Sequence, residues 1–276
     1  MVLVNGKPED RIAVSDRGLQ YGDGLFETIA FRHGIPEFIE AHLKRLLDGC
    51  GRLNIPFRQL ELLRKELIEV YQNLSDSDAV IKIMITRGSG GRGYLAENTV
   101  EPTRIISTHP LPNYPESHSL TGVSVRFCQH KLSENTSLAG IKHLNRLDNV
   151  LARNEWDNAE IAEGLMFDQS NNLVEGTMSN VFIVKSKSNQ LLTPLLNKSG
   201  VAGIMRAQIM HLASQLGLLI KETVITRNDL RKADEVFVCN SINGIWPVID
   251  VVDIEKKYTL GSITQQLQQA LSMVKR

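Results

Sequence analysis

Apolar residues recur along this chain with two periods, and the switches between them set the expected order of elements. Between Glu40 and Asn54, the residues Leu43, Leu46, Leu47, Cys50 and Leu53 fall on one helical face, and Leu60, Leu63, Leu67, Val70 and Leu74 repeat that spacing. In Ala79–Thr86 the period drops to two, with Ile81, Ile83 and Ile85 alternating with Lys82, Met84 and Thr86, which predicts a half-buried strand; Arg104–Ser107 supplies another. Pro110, Pro112 and Pro115, set among polar residues from His109 to His118, interrupt regular structure and suggest a linker.

Beyond this linker, Val123–Cys128 reads as a strand. A hairpin is expected from Leu165–Asp168 through Ser170-Asn171-Asn172 into Leu173–Glu175, leading to a strand at Val181–Val184. Met205, Ile209, Leu212 and Leu216 mark a helix from Gly203 that ends at Gly217, a residue suited to the position just past a helix. Glu235–Asn240 and Trp246–Val252 are further strands, and Ile263, Leu267 and Leu271 mark a closing helix. The expectation is an α/β (α+β) chain with a small N-terminal domain over 1–112, a linker over 113–121 and a larger C-terminal domain over 122–276.

Composition narrows the function classes. The 276 residues are 42% hydrophobic and 22% charged, enough to bury a sizeable core. Lys+Arg and Asp+Glu both number 31, so no net field draws the chain to nucleic acid or to an anionic membrane, and the expected partner is a small-molecule substrate. Cys50, Cys128 and Cys239 are odd in number and widely spaced in apolar segments, which fits reduced thiols and neither a disulfide scaffold nor a metal site. The first residues show no basic-then-apolar leader, and no stretch approaches the ~20 apolar residues of a membrane span, so the expected location is cytoplasmic.

Four separated segments carry candidate chemistry. Arg45 stands off the apolar stripe of its helix, as either a solvated cation or a fork for a phosphate. Lys142, in Gly140-Ile141-Lys142-His143-Leu144-Asn145-Arg146, sits between apolar neighbours next to an expected helix start, and reads either as a surface lysine or as an amine that desolvation makes nucleophilic towards an aldehyde. Glu175-Gly176-Thr177-Met178-Ser179-Asn180 places a carboxylate at a strand end, as either an ordinary turn carboxylate or a group that keeps a pyridine nitrogen protonated. Gly203-Ile204-Met205-Arg206 entering a helix and Asn240-Ser241 leaving a strand are either a simple helix-start glycine and a turn or main-chain N–H groups offered to an anion.

Together with Tyr21-Gly22-Asp23-Gly24-Leu25-Phe26-Glu27-Thr28, these segments resemble the fold-type IV pyridoxal 5′-phosphate (PLP) enzymes over nearly the whole chain. That family contains branched-chain and D-amino-acid aminotransferases and aminodeoxychorismate lyases. The resemblance implies two domains with the active site between them, a homodimer, and PLP held as a Schiff base on Lys142. It also implies a ring nitrogen paired with Glu175, support from Asn180, and a phosphate held by Arg45, the Ile204 and Met205 amides, Asn240 and Ser241. The runs Thr86–Tyr94 and Ala139–Leu147 resemble the lyase branch, which makes 4-aminobenzoate and pyruvate from 4-amino-4-deoxychorismate for folate synthesis. D-amino-acid aminotransferases usually show Arg-x-His where this chain has Arg92-Gly93-Tyr94. In the lyase reading Lys142 is also the base, Arg92 and Tyr94 bind substrate, and Thr28 binds substrate or relays a proton.

Overall fold

Residues 1–75, 77–91, 93–96 and 100–274 are described by the computed structural model of this chain. They divide into one unit of Met1–Pro112 with Ile141–Asn145, and a second of Asn113–Gly140 with residues 146–274.

The first unit contains β1 (Val2–Val4), β2 (Lys7–Pro8), α1 (Arg17–Tyr21), β3 (Gly24–Arg32), β4 (Ile35–Pro36), α2 (Ile39–Arg52), α3 (Leu60–Leu74), β5 (Ala79–Thr86) and β6 (Thr103–Pro110). Its sheet runs β2-β1-β6-β5-β3-β4. Antiparallel pairing of β3 with β5, from Gly24 opposite Thr86 to Phe31 opposite Ala79, aligns Leu25, Ile29 and Phe31 with Ile81, Ile83 and Ile85. This apolar face buries against Leu43 and Leu46 of α2 and Leu63, Leu67 and Val70 of α3, the stripes that the helical periodicity predicts. Glu27 occupies the same inward register as Leu25 and Ile29 and is 1% exposed. Strand β6 is longer than Arg104–Ser107, because a strand end tolerates proline and Pro110 still pairs opposite Ala79.

Residues 141–145 join this unit through main-chain bonds to β3. The amide of Phe26 donates to the carbonyl of Lys142 at 3.0 Å, and the amide of Leu144 donates to the carbonyl of Gly24 at 3.0 Å. Close approach explains Gly24, where a Cβ would lie 2.6 Å from the Ile85 carbonyl oxygen and 2.7 Å from Leu144 Cδ1. Lys142 therefore groups with the N-terminal unit, although the expected division puts it in the C-terminal domain.

The second unit contains α4 (Ser117–Leu120), β7 (Val123–Lys131), α5 (Leu147–Arg153), β8 (Ile161–Phe167), β9 (Leu173–Gly176), β10 (Asn180–Lys185), β11 (Gln190–Pro194), α6 (Ile204–Gln215), β12 (Leu219–Thr223), α7 (Arg227–Lys232), β13 (Glu235–Asn240), β14 (Gly244–Val251), β15 (Lys256–Lys257) and α8 (Ser262–Met273). Its sheet runs β12-β11-β10-β13-β14-β7-β8-β9, with β15 on β14. The pairing is mixed: β7 is parallel to β14 and β8, whereas β10, β13 and β14 pair antiparallel. Val125, Leu165, Phe167, Val181, Ile183, Val236 and Val248 fill the core on one side. The α/β (α+β) class expected from the patterning is the one observed. Gly217 follows α6 with φ +75°, the left-handed conformation expected just past that helix. Part of the proline-rich segment departs from expectation, since Ser117–Leu120 is helical and packs on β14.

Candidate active site

In the first unit the site grows from the alternation of β3. Residues Phe26 and Thr28 share the face opposite the core and are partly exposed. The Nζ of Lys142 stands 4.1 Å from the centroid of the Phe26 ring, an arrangement in which a ring face attracts an ammonium. With its backbone tied to β3, Lys142 lies outside any helix, and the helix expected beside it begins later, at Leu147.

On the core side of β3, Glu27 meets two residues of α2. Arg45 donates from Nε to Oε1 at 2.8 Å and from Nη2 to Oε2 at 2.5 Å, and His42 Nδ1 lies 2.6 Å from Oε2. Arg45 is thus a part-buried fork on Glu27 and not a solvated cation. Burial alone would raise the Glu27 carboxyl, but the bonds from His42 and Arg45 outweigh it and hold the group below the usual carboxylate range. Burial pulls His42 below the usual histidine range; Glu27 opposes that, and the charges of Arg45 and Lys142 add to it. Glu27 and His42 are absent from the sequence-based set. Their signal is present nonetheless: a carboxylate on the apolar register of a strand, and a histidine three residues before the arginine.

Of the loop residues, Arg92 lies outside the described residues. Tyr94 is 90% exposed, and its ring meets Tyr21 edge-on at 5.7 Å. Arg17 holds the backbone there, donating to the carbonyls of Gly93 and Tyr94 at 3.0 Å each.

In the second unit, Glu175 and Asn180 converge on one peptide segment. Glu175, 4% exposed on β9, accepts from the amide of Val201 at 2.8 Å, and Asn180 Nδ2 donates to the carbonyl of Val201 at 2.9 Å. The segment is pinned further by Gly140 N–H to the Gly200 carbonyl and Ala202 N–H to the Gly140 carbonyl. It feeds α6, whose N-cap is Gly203 and whose first turn has no side-chain cap. The amides of Ile204 and Met205 therefore stand at a helix N-terminus without an intrahelical acceptor, where the helix dipole favours an anion. A Cβ on Gly203 would sit 2.0 Å from Asn180 Oδ1, so only glycine lets the two approach.

At the end of β13, Asn240 Oδ1 accepts from the amides of Ile242 and Asn243 at 2.9 and 2.7 Å, closing the turn that contains Ser241. Its Nδ2 donates to the Met178 carbonyl at 3.2 Å. Two further residues escaped sequence reasoning. Glu163, 1% exposed, accepts from Ser179 Oγ and Thr177 Oγ1 at 2.6 Å each and from the Met178 amide at 3.2 Å, so it underpins the turn between Glu175 and Asn180. Burial lowers the Arg146 guanidinium, and the opposing pull of Glu175 marks that carboxylate as its neighbour. An uncapped helix start and a buried carboxylate on one pinned segment suit the phosphate and ring nitrogen of the cofactor that the resemblance implies.

Several known proteins are similar to this chain over nearly its whole length. The family model for amino-transferase class IV matches residues 24–251. An aminodeoxychorismate lyase of Vibrio harveyi is 36% identical over 97% of this chain and 98% of its own length. The crystal structure of a 4-amino-4-deoxychorismate lyase from Pseudomonas aeruginosa superposes with a TM-score of 0.93 at 45% identity, covering 98% of both chains. A branched-chain amino acid aminotransferase of Escherichia coli superposes with a TM-score of 0.86 at 27% identity, covering 98% of this chain and 93% of its own. The chain belongs to the amino-transferase class IV family.

Proposed function

We propose that this chain is a PLP-dependent lyase that converts 4-amino-4-deoxychorismate into 4-aminobenzoate and pyruvate. The observation that carries the reading is Lys142, an amine fixed by main-chain bonds to β3 and set over Phe26, in a chain similar over its full length to lyases of this kind. When bound, PLP supplies an aldehyde that condenses with amines and a protonated pyridine ring that accepts electrons. Lys142 holds the cofactor and then acts as the base, taking the proton from the substrate carbon that bears the amino group. Glu175 keeps the ring nitrogen protonated, and Asn180 holds the segment opposite it. Arg45, the amides of Ile204 and Met205, and Ser241 in the turn closed by Asn240 hold the phosphate. The carbon–oxygen bond to the neighbouring enolpyruvyl group would then break, with enolpyruvate leaving and taking up a proton to become pyruvate; the carbon ring left behind is aromatic, so the elimination runs strongly downhill.

Thr28 shares the face of β3 that carries Phe26, which supports a place for it at the substrate. Arg92 and Tyr94 complete the proposed substrate contacts. A homodimer fits the apolar side chains left on the surface, Leu19, Tyr94 and Leu95 in one unit and Leu147, Val150 and Leu151 in the other. Buried, free Cys50, Cys128 and Cys239 suit a reducing compartment, and the proposed location is the cytoplasm.

The likeness to aminotransferases keeps amino transfer as the alternative, because proton removal from the same carbon begins both reactions. Purified protein incubated with aminodeoxychorismate should yield aminobenzoate and pyruvate. D-alanine or a branched-chain amino acid, each with 2-oxoglutarate, should yield little keto acid by comparison. The reverse outcome would replace the lyase reading with the transferase one.

A further inference from the structure

His42 and Arg45 lie three residues apart on α2 and so share a face. Both reach Oε2 of Glu27, while Arg45 also takes Oε1. A guanidinium is planar, so fixing Nε and Nη2 on one carboxylate fixes the direction of its remaining N–H edge. Glu27 is held in its ionised form and only accepts hydrogen bonds, so the proton between it and His42 belongs to Nδ1.

That assignment leaves Nε2 of a neutral His42 ring buried and without a hydrogen-bond partner among the described residues. Packing alone does not explain such a ring, because leucine fills an apolar wall without orphaning a nitrogen. Among the described residues, the one side-chain bond of His42 goes to the oxygen that grips Arg45. Resting on the reading in which Arg45 holds the cofactor phosphate, we infer that Glu27 and His42 are positioning residues: Glu27 sets the guanidinium plane, and His42 keeps the carboxylate from rotating away from it. Neither residue touches the phosphate.

Simple charge counting makes the opposite prediction. Glu27 partly cancels the charge of Arg45, so removing the carboxylate should strengthen anion binding if charge alone mattered. If orientation matters more, removal should weaken it.

The phosphate's contribution is read as the ratio of dissociation constants for pyridoxal and for PLP, each measured by absorbance titration of cofactor-stripped protein. In Glu27→Gln and His42→Leu this ratio should fall about tenfold, the scale of one charge-assisted hydrogen bond, with pyridoxal affinity held within about twofold. His42→Asn, which keeps a donor near the Nδ1 position, should recover most of the ratio. General damage to the fold would weaken both ligands together and leave the ratio unchanged. An unchanged or increased ratio in Glu27→Gln and His42→Leu, while Arg45→Ala lowers it, would overturn the positioning role alone. If Arg45→Ala also leaves the ratio unchanged, the phosphate reading of Arg45 falls and takes the inference with it.

Discussion

Replacing Glu163 tests whether the Thr177–Ser179 turn is held from beneath. The carboxylate accepts from the Gly164 amide at 2.8 Å, the Thr177 amide at 3.0 Å and hydroxyl at 2.6 Å, the Met178 amide at 3.2 Å and the Ser179 hydroxyl at 2.6 Å. In Glu163→Ala the two hydroxyls can re-aim, and the Thr177 amide keeps the Gly164 carbonyl at 3.0 Å. The Met178 amide loses its acceptor inside the protein. With the Gly164 and Met178 amides both losing this acceptor, the lost bonds to a buried carboxylate and the vacated volume sum to about 3–5 kcal/mol.

Glu163→Gln keeps the volume and one acceptor oxygen. With its amide nitrogen at the Oε2 position, the Ser179 hydroxyl turns to accept, and only the long bond from Met178 is lost. Burial already lifts the Glu163 carboxyl above its usual range despite these donors, so a neutral side chain recovers part of that loss, and the net cost should stay under about 1.5 kcal/mol. Urea unfolding followed by circular dichroism, with a shared m-value, measures both. Linkage adds a sign. A carboxyl raised in the folded state contributes stability that is complete below the unfolded value near 4.5 and is lost as pH rises through the folded value. The deficit of the glutamine variant should therefore narrow between about pH 5 and pH 8. An alanine variant within about 1 kcal/mol of the parent, or a glutamine variant equally damaged, would refute the account of the turn.

Other consequences are open to direct measurement. Lys142→Ala should abolish the visible absorbance band of lysine-bound cofactor and lower turnover by about 10²–10⁴-fold or more, while still folding. Glu175→Gln should bind PLP yet turn over about 10²-fold more slowly; unchanged turnover would remove its role at the ring nitrogen. Burial pushes the Cys50 and Cys128 thiols up to about 12 and raises Cys239 as well, so a thiol reagent should react slowly with native protein and rapidly with all three after denaturation. His42 is depressed by burial, so the unfolded chain takes up its proton first and stability is complete above about pH 6.5, then lost as pH falls. The melting temperature of the parent should accordingly drop more between about pH 7.5 and pH 5.5 than that of His42→Asn.

What the sequence made legible follows from how each signal arises. Leu60–Leu74 and Ala79–Thr86 appear with the expected bounds, because five leucine or valine positions at helical spacing and three alternating isoleucines each bury against one partner surface. Strand β3 does not show in the apolar alternation because Glu27 breaks its period, and that break is the informative feature. A lone carboxylate on the apolar register requires paired donors from the facing element, and His42 and Arg45 of α2 meet that need. Arg45 looked solvent-facing because it stands off the leucine stripe, yet the stripe shows only where α2 meets apolar side chains. Lys142 was readable as chemistry but not as topology. Periodicity describes runs of many residues, whereas residues 141–145 are placed by a few main-chain bonds to Gly24 and Phe26, which side-chain identity does not encode. The same holds for Glu163: its role depends on the β8–β9 pairing that brings it beside Thr177 and Ser179, fourteen and sixteen positions away in the chain. Motifs of adjacent residues therefore name the proposed cofactor groups, whereas the buried acids Glu27 and Glu163 become visible only once strands are paired.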